Sequence, residues 1–567
     1  MGQPSKEASH ALVYVTYGIF LLIGTGVAWT FRNQSKGQFL AGNRTQTAVP
    51  LALNFIASGS FPKTLTRSFD IPPSCFCLSW RSGNDAMGGR TRALGSGILF
   101  AYPQLATIAG VQGVVVYALS SGLPLFIFAA LGPIIRRKCP EGFVLTEWTR
   151  QRYGTVAALY LSFMTLVTLF LYMTSELSAV GQVVHLLTGM DGLPVLIVQC
   201  LVTTIYTSLG GFRISFFTDN IQGAMVLGLI IIATITVGVE IKIDTSLIAE
   251  SGLTKGNLLG WQLVYILPVA ILTNDFFLSH FWLRTFASKT DRDLWIGVSI
   301  AAVAVLIIVT LVGSTGLIAA WAGIYPGDPE APVDGSIVFF ALLEQLPSWV
   351  VGIVLVMAVT LSIAAFDSIQ TAMVSSASND LFRNRLNIWF IRAGVVLVMI
   401  PVVVIAIRAP SVLQIYLISD LVSAATIPVL VFGLWDKAYW WRGFEVVVGG
   451  LGGLFTVFLF GMMYYDDAQK GAELLLLQQG LFTGDWGCFG AFVAAPVGGV
   501  IWGFIALGLR LSFQYVLAKK RGVRFDALDR PIVVGSPDAQ GHLVEGDSDQ
   551  DDLSDAPGIA KSTGKFF

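Results

Sequence analysis

The sequence predicts an all-α polytopic membrane protein, and three observations carry that prediction. Of its 567 residues 54% are hydrophobic and 13% charged, with a mean hydropathy of +0.71, more apolar surface than a soluble domain can hide. The apolar runs are about 20 residues or longer, the length of a helix across ~30 Å of hydrocarbon rather than of a ~10-residue barrel strand. Lysine and arginine gather in alternate connections, as they do when one side of a membrane retains them. Only a helix or a closed barrel pairs its own backbone polar groups where water is absent. The net charge of −1 carries no signal for nucleic acid, and none is expected as a partner.

Apolar runs lie at 11–30, 48–110 (interrupted), 112–135, 155–187, 193–209, 216–239, 261–283, 295–323, 348–376, 388–407, 411–435, 443–465 and 487–517, which makes thirteen expected helices. The basic connections hold Arg32, Lys36 and Arg44, then Arg136 to Lys138 with Arg150 and Arg152, then Arg213, then Arg284, Lys289 and Arg292. Arg383, Arg385 and Arg392 follow, then Lys437 and Arg442, then Lys519 to Arg521 with Arg524. Residues 1–10 are therefore expected outside and the C-terminus in the cytoplasm. Asn33 and Asn43 match the glycosylation pattern but fall in a cytoplasmic connection, so neither is expected to be used. The first helix lacks the flanks of a cleaved signal peptide. Residues 521–567 carry GDSDQDDLSD near their end and are too poor in apolar side chains to offset ordering entropy, so a disordered tail is expected. The five cysteines show no metal spacing and read as small apolar fillers.

A carboxylate within a span needs a partner or a job. Asp219 opens the run at 216–239, Asp275 sits in ILTNDFFLSH, and Asp367 sits in LSIAAFDSIQ. For Asp219 and Asp275 the competing reading is an interfacial pair with Arg213 or Arg284. Asp367 has no basic neighbour and is followed at helical spacing by Ser368, Thr371, Ser375 and Ser378, which predicts a polar stripe facing the bundle interior. The second run is interrupted at Ala57-Ser58-Gly59 and resumes at Gly95-Ser96-Gly97. Such glycine-rich breaks expose backbone carbonyls that can ligate a cation or a substrate, as in transporters built from inverted repeats.

Three motifs make the reading specific. LGGFRISFFTDNIQGAMV (209–226), HFWLRTFASKTDRDLWIGV (280–298) and DSIQTAMVSSASNDLF (367–382) resemble the sodium:solute symporter family, with Leu283 where glutamine is usual. The resemblance runs from about residue 11 to 520. It implies a LeuT-like 5+5 inverted repeat, with residues 48–239 and 240–435 as the two halves. Residues 11–47 would then be a leading helix and loop, and 436–520 two peripheral helices. It also implies a sodium site between the broken second helix and two adjacent hydroxyl residues on the ninth. Those positions are Ala364 and Ala365 here, and neither has a side-chain oxygen for a hard cation. Ser362 and Asp367 could substitute; otherwise a proton carried by Asp367 or Asp219 is the expected coupling ion. The candidate ion site is thus Ser58, Gly95, Ser362, Ala364, Ala365, Asp367 and Asp219, and the candidate substrate site Ser96, Gly97, Asp275, Ser368 and Thr371. The flavour is closest to a fungal and plant urea or polyamine branch.

Residues 60–93 interrupt this pattern with five basic residues, two acidic ones and three prolines, a composition that cannot lie in hydrocarbon. A protruding loop that gates the cavity is one explanation. Translated non-coding sequence is the other and the one adopted, which makes the full chain an inactive isoform.

The expected function is a secondary active symporter moving a small polar solute, urea-like as a first guess, by alternating access. The alternative is a transporter-like nutrient sensor without coupled transport. An enzyme is not expected, because no catalytic set or metal cluster assembles; His185 reads as a helix end and His280 as an interfacial residue. No cofactor is expected beyond a coupling sodium ion or proton. The plasma membrane is the expected location, with the vacuole as alternative, and the sequence is silent on oligomeric state.

Overall fold

The computed structural model describes residues 5–30, 96–139, 145–327, 332–382, 385, 387–408, 412–478 and 485–529. Ser58, Gly95, the segment 60–93 and the tail beyond 529 lie outside the described residues. Every element among the described residues is helical. In chain order these are α1 (Lys6–Thr30), α2 (Ile98–Gly122), α3 (Pro124–Lys138), α4 (Leu145–Tyr153), α5 (Thr155–Thr188), α6 (Gly192–Glu240), α7 (Thr245–Glu250), α8 (Leu258–Phe277) and α9 (Ser279–Ala287). Then come α10 (Asp291–Trp321), α11 (Val338–Leu343), α12 (Ser348–Ser376), α13 (Ile388–Arg408), α14 (Val412–Val431), α15 (Gly443–Tyr465), α16 (Ala468–Leu475) and α17 (Gly487–Arg521). Among the described residues ten spans are long and apolar enough to cross a membrane, and two shorter apolar stretches lie at 228–240 and 396–407. The protein is an integral membrane protein.

Local chemistry sets the boundaries. Asp191, Asn257 and Thr290 accept from backbone N–H groups at the starts of α6, α8 and α10. Gly189, at φ 66°, closes α5 in the left-handed conformation. Gly110, at φ 62°, divides α2 into two runs; a Cβ there would meet the Leu253 carbonyl oxygen at 2.1 Å. Pro124 opens α3, and Arg136 to Lys138 sit in its last turn, where cations offset the negative helix end.

α12 is the axis of the bundle: 83% of its most apolar 18-residue window is buried, more than for any other described span. It packs against α5 and α6, with α1 behind α6. At the periphery α15 and α17 lie close through Gly449, Gly499 and Gly503. They are locked by a buried pair in which Arg510 Nε donates to Glu445 Oε1 at 2.5 Å.

Two features depart from the expected pattern. α6 is helical through the Gly210-Gly211 motif, where the sequence predicts a connection between two spans. Its 49 residues would measure about 74 Å if straight. Yet Tyr206 and Thr218 both donate to Asp367 Oδ2, at 2.6 and 3.2 Å. A straight helix would set their Cα atoms ~18 Å apart, beyond the combined reach of the two side chains, so α6 bends between them. Second, the helix that opens the second half is broken: α8 stops at Phe277, Leu278 adopts φ −74° and ψ 97°, and α9 starts at Ser279. No glycine or proline marks that break.

Candidate functional site

The first polar cluster forms where α2 begins. Ser96 is fully buried, and a Cβ on Gly97 would meet the Tyr416 hydroxyl at 2.5 Å, so only glycine lets α14 approach. Opposite stands Glu176 in α5, 2% exposed. Its Oε2 accepts from the Ser96 backbone N–H at 2.9 Å and from Ser96 Oγ at 3.3 Å, and its Oε1 accepts from Tyr416 Oη at 2.7 Å. The carboxylate thus satisfies donors at a helix start and sits at its positive end.

One turn earlier on α5, Tyr172 lies 4.9 Å from the Tyr416 ring, and its hydroxyl accepts from Asn274 Nδ2 on α8. Ser419 Oγ on α14 donates to Asn274 Oδ1 at 3.5 Å, and Thr273 and Ser423 share a hydrogen bond of 3.1 Å. Asp275, 2% exposed, precedes the break at Leu278; Asp420, 7% exposed, lies one turn beyond Tyr416. Tyr117 is within electrostatic reach of Asp420 and Tyr172 and stacks on Tyr102 at 4.0 Å. Four helices, α2, α5, α8 and α14, therefore converge around the buried carboxylates Glu176 and Asp420 and a wall of tyrosines, with Asp275 buried next to Asn274.

A second network joins α1, α6 and α12. Tyr17 donates to Gln199 at 2.8 Å, and Gln199 to Ser362 at 2.8 Å. Asp367, wholly buried, accepts from Tyr206, Thr218 and Ser368, while Thr371 donates to its carbonyl at 2.6 Å. Gln370 donates to Thr204 and accepts from Thr207, each at 2.9 Å. One turn beyond Thr218, Gln222 is 1% exposed with neither side-chain nitrogen nor oxygen hydrogen-bonded. At 100° per residue, Ala364 falls between Thr371 and Ser368 around α12 and Ala365 about 60° beyond Ser368, and both are buried.

Of the residues singled out in the sequence, Ser96 and Gly97 belong to the first cluster, and Asp275 directly follows Asn274 of that cluster on α8. Ser362, Asp367, Ser368 and Thr371 belong to the second network. The Asp219 side chain is outside the described residues. Asp275 is buried three residues before the helix break, and the side chains of Arg213 and Arg284, the partners expected in the competing reading, lie outside the described residues. His185 does sit at a helix end, with Nδ1 3.0 Å from the Met190 carbonyl. The sequence reading missed Glu176 and Asp420, although an ionisable group inside an apolar run, as in TSELSAV and LISDLVS, is itself a signal.

A bundle whose helices break beside buried carboxylates defines a secondary transporter of LeuT-like fold. A sodium-coupled sialic acid symporter in a substrate-bound, outward-open state superposes over 88% of this chain and 97% of its own, with a TM-score of 0.62 at 14% identity. The chain belongs to the sodium:solute symporter family, whose profile matches residues 86–443. It is 49% identical to the spermidine transporter DUR31 of Candida albicans, over 94% of this chain and 96% of that protein. The urea-proton symporter DUR3 of Oryza sativa is 27% identical over 22% of this chain and 17% of its own. The family and these relatives are transporters, not enzymes.

Proposed function

We propose that this chain is a symporter that carries a small organic polycation of the polyamine class by alternating access. The observation that carries the reading is the set of buried carboxylates, Glu176 and Asp420 beside the paired tyrosine rings and Asp275 next to Asn274 on α8. A neutral, urea-like solute would leave that negative charge uncompensated, which is costly in a water-poor interior. Ammonium groups, which only donate, match it, and tyrosine faces suit both the cations and the methylenes between them. The negative C-terminal end of α8, beside Asp275, adds to the same field. The name of the Candida albicans relative agrees.

For coupling we favour a proton over sodium. Ala364 and Ala365 supply no oxygen, whereas Asp367, in the second network, can carry a proton. The plasma membrane, with the N-terminus outside, is the location this reading requires.

The test is uptake of labelled spermidine into proteoliposomes under an imposed proton or sodium gradient, for the full chain and for a chain lacking residues 60–93. Accumulation above equilibrium under a proton gradient by the chain lacking residues 60–93, and little or none by the full chain, is the expected result. Binding without accumulation by either chain would establish the sensor instead, and uptake of urea but not spermidine would overturn the substrate reading.

A further inference from the structure

A cavity of about 290 Å³ lies away from the carboxylate cluster, between α5, the C-terminal end of α12 and α13. Its walls include Leu166, Met373, Phe382, Phe390, Val398 and Met399. Gln370 lies on its wall, but its amide is engaged by Thr204 and Thr207 of α6. The room comes from small residues and from the backbone. A π-helical turn, Ala377–Leu381, widens the end of α12, and a Cβ on Gly394 of α13 would meet nothing within 4 Å.

The cavity opens sideways, not toward the solute site. Phe390 is 69% exposed and Phe382 47%, and the surrounding surface carries Leu397, Ile400 and Phe163, all more than 60% exposed. On a membrane-spanning helix such residues meet hydrocarbon, so the groove is continuous with the lipid-facing surface. Its volume is near the lower limit of small-molecule pockets, roughly 300 Å³. Arg385, exposed, hydrogen-bonds through its backbone N–H to the carbonyl of Phe382, a residue of the groove wall, which puts a cation beside the groove that suits an anionic headgroup.

We propose that this groove holds one acyl chain of a membrane phospholipid, which fills the gap between α5, α12 and α13. A phospholipid with a photoreactive group near the end of one acyl chain, incorporated with the purified full chain in nanodiscs, tests this. Labelling is expected to concentrate on peptides containing Met373 and Met399. Gly394→Phe fills the groove and should lower that labelling about tenfold or more while leaving labels at Leu397 and Ile400 unchanged. Val398→Trp fills it from a second position should the first variant fold poorly. Labels spread evenly over the lipid-facing surface and insensitive to both substitutions would overturn the proposal. Displacement by a sterol but not by unlabelled phospholipid would do the same.

Discussion

The bond between Tyr416 and Glu176 offers the sharpest test of the carboxylate cluster. At 2.7 Å, Tyr416 Oη donates to Oε1 of Glu176, which is 2% exposed. Hydrogen bonds to a charged group contribute about 1.5–3 kcal/mol net. Tyr416→Phe keeps the ring against Gly97 and Tyr172, so its cost in stability should lie in that range. Glu176→Gln takes the charge out of the same bond and leaves one acceptor oxygen where Tyr416 and Ser96 now use two. Because the two substitutions remove one shared interaction, the double variant should cost less than the sum of the singles by about 1.5–3 kcal/mol. Spermidine binding reports a second quantity. A unit-charge pair at 4 Å interacts by about 4 kcal/mol at an effective dielectric of 20, and allowing for imperfect geometry, Glu176→Gln should weaken binding by about 100-fold. Unfolding of the purified protein gives the first number and equilibrium binding the second. Additivity within about 0.5 kcal/mol, together with unchanged spermidine affinity, would refute the reasoning.

Asp275→Asn and Asp420→Asn should each lower spermidine uptake by about tenfold or more at equal membrane abundance, as expected when one desolvated charge contact is lost. Ala364→Ser combined with Ala365→Thr supplies two ligand oxygens and should confer or strengthen sodium dependence of uptake; an unaltered ion response would show that the register along α12 is wrong. Glu445→Met or Arg510→Met alone should destabilise by about 3–5 kcal/mol through the stranded charge, whereas the double substitution should come close to wild type in the same unfolding assay. Ser376→Ala removes the 2.9 Å hydrogen bond to Ser279 and should lower the ratio of protons to solute moved while sparing spermidine affinity.

The membrane class and the polar stripe of α12 were legible because hydropathy and helical spacing are local properties. Ser362, Asp367 and Gln370 share one face by period alone. Their partners on α6 are not local: Tyr206 and Gln199 lie more than 160 residues away in sequence from the groups they bond. The break at Leu278 left no trace because Phe276, Phe277 and Leu278 read as ordinary span residues, and only the pseudo-symmetry of the two halves predicts it. α6 went astray for the opposite reason. Gly210-Gly211 reads as a turn signal, but among long apolar flanks the backbone keeps its helical hydrogen bonds and bends instead. Glu176 and Asp420 were overlooked among Ser and Leu neighbours, yet both are buried ionisable groups inside apolar runs.

The two polar networks are not independent, and the connection explains how a solute and an ion could be moved together. Asp275 lies three residues before Leu278, where the helix is interrupted and the backbone is held by Leu278 N–H on the Asn274 carbonyl at 3.2 Å and Phe281 N–H on the Leu278 carbonyl at 3.0 Å. A cation drawn to Asp275 therefore acts beside a hinge, and the element beyond that hinge is α9. Ser376 of α12 donates to Ser279, the first residue of α9. Nine residues back along α12 stands Asp367, hydrogen-bonded to α6 at two points. Movement of α9 must either break the Ser376 bond or carry the end of α12 with it. In the second case the hydroxyls around Asp367 shift, and its affinity for a proton changes with the state of the solute site. Linkage then requires the reverse: a proton on Asp367 alters the affinity for the solute by the same factor. Coupling on this account needs no contact between the two ligands, only one broken helix and one hydrogen bond.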